Sequence, residues 1–208
     1  MTGEKAASGT LHDILKVATQ EFKEKGFQGA SLREIVRKAG VTTGAFYGYY
    51  NSKEELFDAL VKDFAENILN SLSESNKKFK AVQSTDQQKK LHGFMKDYMA
   101  DYVSYMMAHK TELELLSKCA AGTKYENFME RLAAHEEEST RDFIRVLEKE
   151  NPQMEKIEEQ TVKIISNSLI HAIVEPAING SPYETAINTI TQVQKFFEYG
   201  WSSLFFGK

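Results

Sequence analysis

Residues Ser31–Lys53, SLREIVRKAGVTTGAFYGYYNSK, constrain the fold of this chain more than any other stretch. Ser31 is followed by Glu34, the spacing of a capping box, in which two side chains satisfy orphaned backbone N–H groups at a helix start. Leu32, Ile35, Val36 and Ala39 then recur at helical spacing and give one apolar face. Gly40 stands where a helix ends in a left-handed cap, and Thr42 can cap a second helix. Phe46 and Tyr50 are spaced to reach back from that second helix to the first. Two short helices joined by a Gly-containing turn form a helix-turn-helix, whose second helix can enter a DNA major groove.

The outward side of the second helix carries Thr43, Gly44, Ala45, Tyr47 and Gly48. Small residues let a backbone approach base edges and thymine methyl groups, and hydroxyls donate to phosphates or bases. From SLREIVRKAGV through TTGAFYGYYNSKEELF, the pattern resembles the amino-terminal domain of TetR-type transcriptional repressors, over residues 10 to 60. The chain departs from that family at Gly48, where a His or another polar side chain is frequent. The resemblance implies a DNA-binding domain over residues 1–52 and a ligand-binding and dimerisation domain over 53–208. It also implies that Tyr47 and Lys53 touch the DNA backbone. Ser31, Arg33 and Thr42 join Thr43, Gly44, Ala45 and Gly48 as the remaining candidate DNA contacts. Free N–H groups beside the Lys53 ammonium at a helix start suit a phosphate, and the bland alternative is a solvated lysine. Arg37 and Lys38 read as solvated charges complementing a helix C-terminus.

A net charge of −4 over 208 residues is unusual for a DNA binder, but its distribution is uneven. Residues 1 to 53 hold eight Lys or Arg and five Asp or Glu, or +3, and the remainder holds −7. A basic head on an acidic body directs the head to phosphates. A charge of +3 is modest, so pairing two heads would raise affinity by making the second contact intramolecular. No apolar run is long enough to span a membrane, and MTGEKAASGT lacks the apolar segment of a secretory signal. The single Cys119 fits a reducing, cytoplasmic setting.

The rest of the chain reads as all-α, with nine candidate helix starts and no alternating strand pattern. The expected starts are Thr10, Ser31, Thr42, Ser52, Thr85, Thr111, Thr123, Asn151–Pro152 and Ser181–Pro182. The first helix should end at Gly26 with Phe27 packed beneath, and the fourth should run from Ser52 toward Phe79. The expected architecture is a three-helix amino-terminal domain followed by a helical bundle. The last two helices are apolar on both sides, which implies a core face and a subunit face. Ile165, Leu169, Ile173, Ile190, Phe197 and Trp201 are the candidate homodimer contacts.

A dense aromatic and Met set follows residue 90 and reads either as core or as a pocket for a partly apolar effector. Phe94, Tyr98, Tyr102, Tyr105, Met106, Cys119 and Phe128, with His171 and Glu175, are the candidate pocket residues. The competing reading of His171 and Glu175 is a polar pair at a subunit interface. His92, His109 and His135 lack metal-ligand spacing, and no nucleophile elbow, phosphate-cradling loop or zinc motif is present. No cofactor and no enzymatic activity are expected. The favoured reading is a dimeric regulator that binds a palindromic DNA operator and is released by a small molecule. The alternative is a helical carrier or enzyme with a vestigial helix-turn-helix.

Overall fold

The computed structural model describes residues 2–80 and 102–206, which form helices and turns with no strand among them. In chain order these are α1 (Thr2–Gly29), α2 (Leu32–Lys38), α3 (Thr43–Tyr47), α4 (Lys53–Lys80) and α5 (102–108). They are followed by α6 (Lys110–Glu114), a π-helical turn (Leu115–Cys119), α7 (Phe128–Glu150), α8 (Glu159–Ile178) and α9 (Tyr183–Phe206). Packing divides the chain into two units. One comprises Met1–Glu66 and Thr111–Phe128, and the other Asn67–Lys110 and Met129–Lys208. The first unit thus adds the start of α4 and residues 111–128 to the amino-terminal helices.

The first unit is built on a continuous apolar stripe of α1. Ile14, Ala18 and Phe22 are fully buried there. At Gly26 the backbone takes φ 67 and ψ 169, which interrupts the helix as expected. The chain turns there and drops Phe27 onto the core. Phe22, Phe27 and Phe57 form a triangle with centroids 5.9, 5.1 and 5.5 Å apart, two of its three pairs edge-to-face. Leu113, Leu115, Leu116, Tyr125 and Phe128 are also buried in this unit. Lys23 pairs with Glu114 at 2.5 Å, and Asp58 receives both the Tyr125 hydroxyl and the Lys124 ammonium.

In the second unit α8 and α9 form an antiparallel hairpin around Asn179 and Gly180, the latter at φ 80. The Asn179 side-chain oxygen accepts from the Ser181 N–H at 3.0 Å, which closes the turn. At its far end, Phe143, Ile144 and Leu147 of α7 meet Val162 of α8 and Phe205 of α9, with Met154, Ile157 and Trp201 packed around them.

Five expected helix starts are displaced, α6 beginning at Lys110 rather than after Thr111, and one lies outside the described residues, at Thr85. α1 begins at Thr2 rather than Thr10, because Glu4, Lys5, Ala6 and Ala7 are good helix formers. α7 begins at Phe128 rather than Thr123. Thr123 instead caps a tight turn, accepting from the Tyr125 N–H at 3.0 Å, and this turn aims the Tyr125 hydroxyl at Asp58. α8 begins at Glu159 rather than Pro152: residues 151–158 cross in non-helical backbone that seats Met154 and Ile157 on the apolar cluster. α9 begins one residue after Pro182. Tertiary packing overrides a local capping signal in two of these cases.

Gly26 occupies backbone space that is essentially reserved for glycine. Replacing Gly26 with Ala should lower the stability of the first unit by about 1–3 kcal/mol, read as a reduced urea midpoint. An unchanged midpoint would show that the kink is not imposed by the fold.

Candidate nucleic-acid interface

α3 is five residues long and is held at both ends and on one side. The Thr42 hydroxyl accepts from the Ala45 N–H at 3.1 Å, so the expected N-cap is formed. Phe46 is fully buried and lies 6.0 Å from Tyr50, which is half-buried. The other side is bare. Thr42, Thr43, Gly44, Ala45 and Gly48 are all exposed, and Tyr47 is 52% exposed. This is the face set out from the sequence, and of its side chains Tyr47 also rests edge-on against Phe46, with ring centroids 5.5 Å apart.

α2 is oriented by a charge buried beneath it. Glu21 of α1 has no solvent-exposed area. Its carboxylate accepts from Lys25 at 2.6 Å, from Lys38 at 2.8 Å and from the Ser31 N–H at 3.5 Å. Those donors lie on α1, in the last turn of α2 and at the N-cap of α2, so one carboxylate ties α1 to both ends of α2. Hydrogen bonds from Lys25 and then Lys38 hold its carboxyl down to about 2, from an ordinary 4.5. The sequence signal for this was an acid on the apolar stripe of α1, with a lysine one turn later.

Two expectations change with it. The capping box at Ser31 is half-formed: the Ser31 hydroxyl accepts from the Glu34 N–H at 3.4 Å, but the Ser31 N–H goes to Glu21. The Glu34 carboxylate is drawn instead to Arg37, 2.6 Å away on the exposed face. Lys38 is exposed but is not a free surface charge, because the buried carboxylate holds its ammonium. Arg33 is exposed.

Lys53 does more than either sequence reading allowed. Its ammonium donates to the carbonyls of Phe27 at 2.6 Å and Ala30 at 3.0 Å, and stands 4.4 Å from the Phe27 ring centroid. Those carbonyls belong to the last turn of α1, after the Gly26 kink, and to Ala30 just beyond it, so Lys53 fastens the start of α4 to the α1–α2 junction. An ammonium has three donors, and two are used here.

The candidate pocket residues are divided between the two units. Phe94 and Tyr98 lie outside the described residues. Cys119 and Phe128 are buried in the first unit, whereas Tyr102, Tyr105, Met106, His171 and Glu175 belong to the second. Burial pushes the Cys119 thiol up, which makes it unreactive. Tyr102 and Met106 are buried. Tyr105 is half-buried, with its hydroxyl accepting from the Asn67 amide at 3.3 Å. His171 and Glu175 are exposed on α8. Among the candidate dimer residues, Leu169, Ile173 and Ile190 are buried inside the protomer, and Ile165, Phe197 and Trp201 are half-buried. Ile164, Phe196 and Tyr199 carry the exposed apolar surface instead, at 57%, 74% and 74%. The sequence showed that α8 and α9 are apolar on both sides but not which side meets the core.

A carboxyl with a lowered pKa contributes stability that is complete above its unfolded value of 4.5 and drains away as the pH falls toward about 2. Glu21→Gln should remove that component. The stability difference between wild type and E21Q should shrink as the pH falls through this window, in urea titrations. A constant difference would show that the carboxylate is not held by its lysines.

Residues 14–60 match the family described as bacterial regulatory proteins, tetR family. The chain is 46% identical over 55 residues to an uncharacterised HTH-type transcriptional regulator, YdgC, of Bacillus subtilis, a stretch covering 26% of this chain and 28% of that one. It is 28% identical over 67 residues to the HTH-type transcriptional repressor KstR2 of Rhodococcus jostii, covering 32% and 33%. The chain therefore spans a third or less of the length of these curated relatives. At the level of fold, it is similar to a crystal structure of a bacterial regulatory protein in the tetR family from Rhodococcus RHA1, with TM-score 0.55 and 17% identity over 91% of this chain and 94% of that one. Residues 14–60, with a capped α3 whose outer face is exposed, therefore form an amino-terminal domain like that of the bacterial regulatory proteins of the tetR family.

Proposed function

We propose that the protein is a transcriptional repressor that binds a two-fold symmetric DNA site as a homodimer and is released by a small-molecule effector. The observation that carries the reading is the exposed face of α3. Thr43, Gly44, Ala45, Tyr47 and Gly48 stand open on a helix whose single buried side chain is Phe46. Bare small residues and hydroxyls suit close approach to base edges and phosphates. The exposed Arg33 and the remaining Lys53 donor supply cationic contacts to the backbone.

Ile164 on α8 and Phe196 and Tyr199 on α9 support the dimer, since the largest exposed apolar groups cluster on the two terminal helices. His171 and Glu175 share the outer side of α8 with Ile164 and Ser168, at successive helical turns. That placement favours their reading as interface polar groups. A two-fold dimer would set two copies of α3 roughly 34–36 Å apart, one turn of duplex. An effector acts by preferring a conformation whose spacing DNA does not accept. The repressor role accords with the name of the relative from Rhodococcus jostii.

A DNA site selected by the protein from random duplexes should be near-palindromic, with affinity falling linearly in log–log against salt. Replacing Thr43 and Tyr47 with Ala should weaken that binding roughly tenfold or more. The dimer and the unfolding free energy from urea titration should be retained, the latter within about 0.5 kcal/mol, because both positions are exposed. A flat salt response, or full affinity in the double variant, would contradict the reading.

A further inference from the structure

Two polar side chains are buried among the described residues, Glu21 and Ser166, and their situations are opposite. Glu21 has its three donors. Ser166 of α8 is 1% exposed, and its hydroxyl has no hydrogen-bond partner. A helical serine ordinarily relieves this by bonding back to the carbonyl one turn earlier. Its neighbours do so: the Ser168 hydroxyl donates to the Ile164 carbonyl and the Asn167 amide to the Lys163 carbonyl, each at 2.8 Å. On α9, Thr189 and Thr191 do the same at 2.8 Å. Ser166 stands apart from its own helix and from the facing one.

The facing helix carries a second such group. The side-chain nitrogen of Gln194 is buried and unpartnered. Ser166 lies 14 residues before Gly180 and Gln194 lies 14 after it, so the two reach the same height of the α8–α9 hairpin. Ser166 belongs to the buried stripe of Val162, Leu169 and Ile173, and Gln194 follows Ile190 on the inward side of α9. Lys163 and Lys195, the cations nearest in sequence, are both exposed. Two donors at one level between apolar helices, with no buried cation among the described residues, call for a neutral acceptor.

We propose that the α8–α9 hairpin holds a binding site for a neutral, largely apolar molecule whose carbonyl oxygen accepts from the Ser166 hydroxyl and the Gln194 amide. The class is a ketone, ester or amide with an aliphatic body. A carboxylate is excluded, since its charge would be buried without a counter-ion. Binding at this site is a property of the second unit alone. Its use as the effector site rests on the regulator reading above, and the two are measured separately.

The only tryptophan, Trp201, lies seven residues beyond Gln194 on the same side of α9 and stacks on Phe205 at 5.2 Å. The test titrates the full-length protein with 2-alkanones of increasing chain length, and with the alkanes and alkanoates of matching length. Trp201 emission and thermal shift are followed without DNA. The expected result is a saturable emission change and a raised melting temperature with ketones, and none with alkanoates. The response should weaken at least tenfold in Ser166→Ala and in Gln194→Leu. Since the Ser166 hydroxyl is unpartnered, Ser166→Ala should melt no lower than wild type. A response shared equally by alkanes, one unchanged in both variants, or no saturable response would overturn the site. A lower melting temperature in Ser166→Ala would assign the hydroxyl to a buried water instead. Release of DNA by a ketone that binds would extend the site to regulation. Binding without release would leave the site standing and remove the effector role.

Discussion

An isolated helix of so few residues melts in water, because nucleating the first turn fixes more backbone than its hydrogen bonds return. α3 runs only from Thr43 to Tyr47, so its shape must be imposed from outside. Phe46 supplies the apolar anchor and Thr42 the cap. Apart from the Tyr47 ring resting edge-on against Phe46, the remainder of α3 is left open to solvent. A helix that buried more of itself would be steadier and would offer nothing to a groove.

The anchor holds only if α2 is itself fixed, and here charge does what area cannot. α2 spans seven residues, with Ile35 and Val36 as its buried pair. Glu21 ties its first and last turns to α1, and Lys53 ties the α1–α2 junction to α4 through the Phe27 and Ala30 carbonyls. A buried ion cluster is a weak source of net stability, because desolvation opposes the attraction. Its directional bonds do fix orientation, which a small apolar contact does not. The same bonds occupy Lys25 and Lys38, which lowers the cationic charge available to phosphates. On the proposed reading, a head so sparing of charge depends on being presented twice.

The head was largely legible because its signals are local. A capping serine, a glycine at a helix end and apolar residues at helical spacing act within a few residues of one another. The structure keeps Ser31, Gly26, Gly40 and Thr42 in their expected places. What failed to show is long-range. Glu34 was paired with Ser31 by spacing, but Arg37 is a stronger partner and Glu21 takes the N–H. Thr123 and Pro152 carry good start signals that yield to Tyr125 and to the Met154–Ile157 pair. In the second unit the two-sided apolarity of α8 and α9 was plain, but which side faces inward is set by α7 and the intervening turn. That is why Leu169, Ile173 and Ile190 are buried within the protomer while Ile164, Phe196 and Tyr199 are exposed. Ser166 carries no signal, since a serine among aliphatics has no periodicity of its own.

The central claim is that the bare side of α3 is the surface that meets DNA. Replacing Tyr47 by a photoreactive benzoylphenylalanine puts a reporter on that side at a position 52% exposed. Irradiation on a duplex selected by the protein, followed by mapping of the crosslinked bases, then reads the contact directly. The account predicts crosslinks at two symmetric positions, roughly 34–36 Å apart along the duplex. Retained DNA binding without crosslinks from this position, but with crosslinks from the same reporter placed on α8 or α9, would contradict it.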